Sequence, residues 1–114
     1  FTADYHAGAP CLTENSFGKG KAYYIATQPE PAFIKAFLEY LMSSNAISSP
    51  LPVPAGVEVT KRSNNTGDYL FILNHNQHPV EFSLPGAFQE LISGERLQDK
   101  LSLDAKAVKI LKKA

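Results

Sequence analysis

The sequence predicts an α+β protein in which a β-hairpin and one amphipathic helix precede a small antiparallel β-sheet or sandwich. Three observations predict this fold class: apolar residues at helical spacing in residues 33–42, a proline-rich segment after them, and short strand-like runs separated by polar turns from residue 57 onward. The 114 residues, 44% hydrophobic and 19% charged, have the composition of an ordinary globular protein. A (β/α)₈ barrel needs about 250 residues, so this class of enzyme is excluded.

Charge, cysteine content and motifs exclude further classes. Eleven basic residues balance 11 acidic ones, so nothing in the charge favours nucleic acid as a partner. Cys11 is the single cysteine, which rules out an intrachain disulfide and leads us to expect a cytoplasmic protein. No apolar run approaches the length of about 18 residues that a membrane span requires. Phosphate-loop, dinucleotide and nucleophile-elbow motifs are missing, and we therefore expect no cofactor.

Residues 10–27 predict the hairpin. Two strand-like runs flank a connection that contains Gly18 and Gly20, and glycine permits the positive φ that a tight reversal needs. Tyr23 would lie on one face of the second strand and Tyr24 on the other. Because both faces carry large side chains, we expect this strand to be covered on both sides.

Residues 30–46 predict the amphipathic helix. Pro29 and Pro31 fit only at its first turn, where the backbone N–H groups have no intrahelical acceptor. Six apolar residues recur at helical spacing: Phe33, Ile34, Phe37, Leu38, Leu41 and Met42.

One hairpin and one helix bury too little apolar surface to be stable alone. The helix must therefore pack on the β unit or on protein outside this chain. If Phe33, Phe37 and Leu41 are left uncovered, we expect the chain to form a dimer through this face.

Residues 48–54 contain three prolines at alternate positions and predict a stiff, extended linker. We therefore predict a first unit over residues 1–52, which includes this linker, and a β unit over residues 53–114. The predicted strands of the β unit are residues 57–60, 68–73, 80–84 and 108–111, with turns at residues 63–67, 74–79 and 85–86.

Few residues could carry chemistry. His75 and His78 form a His-x-x-His pattern without a nearby cysteine or carboxylate, and we interpret them, with the asparagines around them, as turn residues rather than metal ligands. Glu58 and Glu81 could meet across neighbouring strands as an acid/base pair. We interpret them instead as exposed charges.

Aromatic residues of the β unit allow two interpretations. Tyr69 and Phe71 share one face of a predicted strand, with Phe82 a candidate for a position across from them. Such rings could stack on a sugar, but packing into the core explains the same spacing more economically.

In order and spacing, several segments resemble the C-terminal end of the glycoside hydrolase family 42 β-galactosidases. These segments are residues 8–20, residues 22–27, the helix that begins near Phe33, residues 56–59 followed by Arg62, residues 69–75 and residues 91–94. The resemblance implies a parent enzyme with a catalytic barrel that carries both catalytic glutamates, a middle α/β domain that forms a trimer, and a small C-terminal β domain.

The resemblance implies that residues 1–52 are the last hairpin, helix and linker of the middle domain, and that residues 53–114 are the C-terminal domain. Nothing in the sequence matches the family's catalytic or metal-binding motifs, so we expect no catalytic, cofactor-binding or metal-binding residue. The chain would then be an inactive, structural fragment of an enzyme that hydrolyses terminal β-galactosides with retention, and its partner would be the remainder of that enzyme.

Two alternatives remain open. The chain could be a carbohydrate-binding module that uses Tyr69, Phe71 or Tyr23 as a stacking face, or it could be a free-standing interaction domain.

Overall fold

The computed structural model describes residues 1–3 and 5–114, which form two compact units, Phe1–Ile47 and Ser48–Ala114. The first unit contains strands β1 (Leu12–Phe17) and β2 (Gly20–Ile25) and helix α1 (Pro31–Ser44). The second unit contains β3 (Val57–Asn64), β4 (Gly67–Asn74), β5 (Val80–Glu90), β6 (Arg96–Leu103) and β7 (Val108–Lys113). The predicted α+β class is confirmed.

The hairpin of the first unit is the one predicted. Phe17 lies opposite Gly20, which leaves a two-residue loop, and Gly18 in this loop has a φ of +59°. Glycine reaches this left-handed region without the steric cost that a side chain would add. Tyr23 of β2 is half-buried, whereas Tyr24 is 69% exposed. Among the described residues, therefore, only one face of β2 is covered, and the expectation of cover on both faces is not met.

Helix α1 begins at Pro31, in its first turn as predicted, and ends at Ser44. The side-chain amide of Asn45 donates to the carbonyl oxygen of Leu41 at 2.8 Å, which satisfies a carbonyl that the helix end leaves open. The sequence predicts an end near residue 46, two residues further along the chain.

The apolar arc of α1 is divided between a covered and an uncovered part. Phe33, Phe37 and Leu41 are half-buried, and the Phe37 ring meets the Tyr23 ring edge-on with centroids 5.4 Å apart. The condition under which we expect a dimer through these three residues, that they are left uncovered, is therefore not fully met. The uncovered face is the adjacent α1 strip, which consists of Ile34, Leu38 and Met42, exposed by 44%, 52% and 40%.

The second unit is a five-stranded sheet with the order β3-β4-β7-β5-β6, in which all neighbours are antiparallel. Its core consists mainly of leucine side chains: Leu51, Leu70, Ile72, Leu84, Phe88, Leu97, Leu101, Leu103 and Leu111.

Leu51 of this core comes from the segment that the sequence assigns to the linker. It is only 1% exposed. Alternating prolines hold residues 48–54 extended, so that every second side chain lies on the same side of the segment. The segment can therefore place Leu51 in the β core while Pro50 and Pro52 stay exposed.

The turn predicted at residues 85–86 is wrong. Strand β5 continues through Pro85 and Gly86, and its register against β6 shifts between Ser83 and Ala87. Gly86 has a φ of +103°. A bulge accommodates both a proline without an N–H donor and a glycine with positive φ, so these residues bend the strand rather than end it.

Strand β6 was not predicted. Leu97, Leu101 and Leu103 lie at positions of the same face and are buried, but Asp99 occupies the position between the first two. This polar residue interrupts the alternation of apolar side chains by which a strand is recognised in a sequence. In the structure Asp99 has a φ of +59°, so the strand is also distorted there. The chain reverses between β5 and β6 at residues 91–95.

Glu90 holds this reversal together. The residue is 2% exposed, and its carboxylate accepts hydrogen bonds from the N–H groups of Ile92 at 3.0 Å and Ile110 at 3.2 Å. The N–H and hydroxyl groups of Ser93 also donate to it, both at 2.6 Å. Burial alone would raise the pKa of Glu90, but the hydrogen bonds outweigh it and lower the pKa from 4.5 to about 2.

Glu90→Gln should destabilise the β unit by about 2 to 3 kcal/mol at neutral pH, because the amide replaces a charged acceptor of several hydrogen bonds with one oxygen and a competing donor. The folded pKa lies below the unfolded one. The stabilisation is therefore complete above pH 4.5 and lost as the pH falls towards 2. Urea unfolding followed by circular dichroism at several pH values measures both effects.

Glu81→Gln is the matched control, since Glu81 is an exposed carboxylate paired with Lys100 on the same β unit. It should leave the free energy of unfolding nearly unchanged, because an exposed ion pair contributes little to stability. Equal effects of the two substitutions, or a difference between wild type and Glu90→Gln that does not shrink in acid, would contradict this role of Glu90.

Candidate functional site

The turn between β4 and β5 carries both histidines of the β unit. His75 Nε2 lies 2.9 Å from Glu58 Oε2, and His78 Nδ1 lies 3.1 Å from the carbonyl oxygen of Pro79. Within residues 1–3 and 5–114, no three histidine, cysteine or carboxylate side chains converge as a metal-binding set would.

Asn74 has the structural role predicted for the asparagines of this turn. The side chain is buried, and its amide nitrogen donates to the carbonyl oxygens of His78 at 3.0 Å and Asp104 at 2.9 Å. Its amide oxygen accepts from the Asn76 N–H at 3.0 Å. The prediction of bonds to local backbone is confirmed for Asn74, whereas the side-chain amide of Asn76 donates to the distant carbonyl oxygen of Ala55 at 3.0 Å.

Glu58 and Glu81 do not form a pair. Strands β4 and β7 lie between β3, which carries Glu58, and β5, which carries Glu81. The expectation that they could meet across neighbouring strands is therefore wrong, because sequence spacing does not determine strand order. Glu81 instead binds Lys100 at 2.6 Å and Ser102 at 3.0 Å, and these contacts lower its pKa. A carboxyl group with a lowered pKa is poorly suited to act as a general acid.

The aromatic residues of β4 face away from the core. Leu70 and Ile72 of this strand are buried, so Tyr69 and Phe71 lie on the opposite, outer face and are half-buried. The interpretation of Tyr69 and Phe71 as core residues is wrong. The strand is apolar on both faces, and the alternation alone could not tell which face is inside. Phe82 packs against the core, and β7 separates its strand from β4.

Tyr69 does not present an open ring. The ammonium group of Lys112 lies 5.5 Å from the ring centroid, as in a cation–π contact. The phenolic oxygen lies 2.6 Å from Thr66 Oγ1, and this hydrogen bond lowers the pKa of Tyr69. A sugar ring that stacked on this face would have to displace Lys112.

A polar network of the first unit was not predicted. Glu14 and Lys21 form an ion pair of 2.7 Å between the two hairpin strands. Burial raises the pKa of Tyr23 to about 12, helped by hydrogen bonds to Tyr40 of α1 and to Glu14. The network borders a cleft of about 280 Å³ between the hairpin and the end of the helix. Its contacts join these two elements, and among the described residues no buried side-chain polar atom lacks a partner.

The described residues thus form a hairpin and a helix, followed by a five-stranded antiparallel sheet. Comparisons with known proteins identify both parts. Residues 1–48 match the family model of the β-galactosidase trimerisation domain, and residues 56–113 match that of the β-galactosidase C-terminal domain. The chain belongs to the glycoside hydrolase family 42 β-galactosidases.

Individual relatives agree with this assignment. The β-galactosidase BgaA of Planococcus sp. (strain 'SOS Orange') is 40% identical over 114 residues, and LacZ of Heyndrickxia coagulans is 37% identical over 111 residues. The crystal structure of the β-galactosidase from Bacillus circulans sp. alkalophilus matches 99% of this chain with a TM-score of 0.85 and 34% identity. The chain spans 17% of the length of each of these proteins.

Helix α1, the one helix among the described residues, is neither long nor apolar enough to cross a membrane.

The occupied face of Tyr69 predicts that the chain does not bind galactosides as a carbohydrate-binding module would. Titration with galactose or lactose, followed by tyrosine fluorescence, should give no saturable change, because Lys112 covers the ring on which a sugar would stack. Lys112→Ala serves as a matched variant with an uncovered ring. A saturable signal in the wild-type chain that Tyr69→Ala abolishes would contradict the prediction.

Proposed function

We propose that this chain serves as the C-terminal structural part of a family 42 β-galactosidase and carries none of its catalytic residues. In this proposal residues 1–52 are the last hairpin, helix and linker of the middle domain, and residues 53–114 are the C-terminal domain. The chain spans only 17% of the length of each relative, which supports the proposal that it is one part of a larger enzyme. The separation of Glu58 from Glu81 is further support, since glycoside hydrolysis needs two carboxyl groups close enough to flank one bond.

The observation that carries the proposal is the exposed α1 strip. Phe37 of the apolar arc of α1 contacts Tyr23 of the hairpin, while Ile34, Leu38 and Met42 remain in contact with solvent. A surface helix of a complete domain has one apolar stripe, and that stripe faces the core. The apolar arc of α1 is wider than the hairpin can cover. This is expected if further elements of a larger domain pack against the helix.

In this proposal, catalysis and oligomerisation are properties of the whole enzyme and not of this chain alone. The resemblance implies retaining hydrolysis of terminal β-galactosides, with a glutamate nucleophile and a glutamate acid/base on a barrel domain. The match of residues 1–48 to a trimerisation domain supports an oligomeric parent, which we propose to be a trimer. We also propose that the isolated chain dimerises through the α1 strip, and that the free thiol of Cys11 reflects a cytoplasmic protein.

The test is a comparison of three samples with a chromogenic β-galactoside. The 114-residue chain should give the blank rate, and the full β-galactosidase polypeptide that contains it should turn the substrate over. The same polypeptide without these residues should lose oligomeric state and activity together, because the middle domain then lacks its last hairpin and helix.

Turnover by the 114-residue chain that Glu58→Gln or Glu81→Gln abolishes would overturn the proposal. Sensitivity to these substitutions separates activity of the chain from that of a contaminating enzyme.

A further inference from the structure

The outer face of the β unit carries an apolar surface that the proposed function does not explain. We define the outer-face patch as Phe71, Leu73, Leu91, Ile92, Val108 and Ile110. Phe71 lies opposite Ile110 and Leu73 opposite Val108 across β4 and β7, so the side chains of each pair share one face of the sheet. The Leu91 N–H donates to the Ile110 carbonyl oxygen at 2.8 Å, which extends the patch into the turn after β5.

This arrangement is unusual for a solvent-facing sheet. Antiparallel sheets with one wet face alternate apolar and polar residues, whereas β4 and β7 carry apolar residues on both faces. Yet Leu91, Ile92 and Val108 are exposed by 42%, 69% and 46%. The pattern is that of strands covered on both sides.

The turn that carries Leu91 and Ile92 is held rigidly in place. The buried Glu90 carboxylate accepts hydrogen bonds from residues 92 and 93, and the Gly94 N–H donates to the Glu90 carbonyl oxygen at 3.0 Å. A turn fixed by a buried carboxylate presents its apolar side chains at little further cost in conformational entropy. The turn is therefore organised before any contact forms.

The rim of the patch carries both signs of charge. Glu58 lies opposite Leu73 and pairs with His75 at one side, and Lys112 lies opposite Tyr69 on the same face of the sheet at another. A mixed rim around an apolar centre resembles the interfaces between domains of one polypeptide, which are modest in area and partly polar. It does not resemble the single-sign surface that nucleic acids select.

We propose that the outer-face patch docks onto the part of the same β-galactosidase polypeptide that lies outside the residues present here, an inference that rests on the proposed function. The relatives have 83% of their length outside the matched segment, since the match spans 17% of each. Because the β unit is covalently linked to that remainder, the effective concentration of the remainder at the patch is about millimolar. At this concentration a patch can be occupied even if it is too small to bind a free partner tightly.

The experiment is thiol labelling of Val108→Cys and of the control Gln98→Cys, which lies exposed on β6 at the edge of the sheet. Each substitution is placed in the 114-residue chain and in the full polypeptide, and peptide-resolved mass spectrometry gives the rates. In the full polypeptide, V108C should label at least about tenfold more slowly than in the short chain, because a buried thiol reacts only when its cover opens. The rate for Q98C should not change.

Ile92→Cys at the tip of the turn provides a second probe if V108C disturbs β7. A benzophenone attached to either thiol should then yield a crosslinked product of single-chain mass, with crosslinks to peptides outside the 114 residues. A product of two-chain mass, or protection that appears in the short chain as its concentration rises, would identify a second copy as the occupant and overturn the proposal.

Equal labelling of V108C in both proteins would also overturn it, by showing that the patch is open in the enzyme. Galactoside turnover is measured on the same preparations. An active full polypeptide with an open patch contradicts only this inference, whereas an inactive full polypeptide contradicts the proposed function.

Discussion

Apolar surface must be removed from water for a small protein to fold, and the two units of this chain meet that constraint to different degrees. The β unit buries nine apolar side chains in one core, with Leu51 supplied from the preceding proline-rich segment. In the first unit no described residue is fully buried, and the α1 strip remains exposed. The proposed assignment, in which the β unit is a domain and the hairpin and helix are the edge of a larger one, accounts for this difference.

Two buried polar side chains complete the β unit. Glu90 fixes the turn between β5 and β6 to β7, and Asn74 fixes the turn after β4 to the carbonyl groups of His78 and Asp104. Buried polar groups cost free energy unless they are fully hydrogen-bonded, and both of these are. A sheet of this size is near the lower limit for a stable core, so defined turns matter to it as much as added apolar contacts.

The sequence predicted the elements whose signals are local. Proline in the first turn and the helical spacing identified α1, and Gly18 identified the hairpin. What it missed depends on contacts between distant residues. Strand order decides that Glu58 and Glu81 are apart, and Asp99 with positive φ hides the alternation of β6. For β4, apolar on both faces, only the packing of Leu70 and Ile72 shows which face is inside.

The candidate sites show the same difference between local signals and contacts that join distant residues. The asparagine-rich turn was identified correctly because side-chain to backbone bonding within a turn is local, whereas the covering of Tyr69 by Lys112 comes from a strand far along the chain. The resemblance to family 42 β-galactosidases was recoverable from short segments in order, because it needed no knowledge of how they pack.

The measurement that most directly tests the account is amide hydrogen exchange of α1 in the 114-residue chain and in the full β-galactosidase polypeptide. If the hairpin and helix are the edge of a larger domain, the hydrogen-bonded backbone amides of residues 34–44 in α1 should exchange at least about 100-fold more slowly in the full polypeptide, since local opening then requires loss of the contacts that the rest of that domain supplies. Amides of β4 should be protected in both. Helix protection that is already equal in the short chain would show that the first unit is complete and would contradict the account.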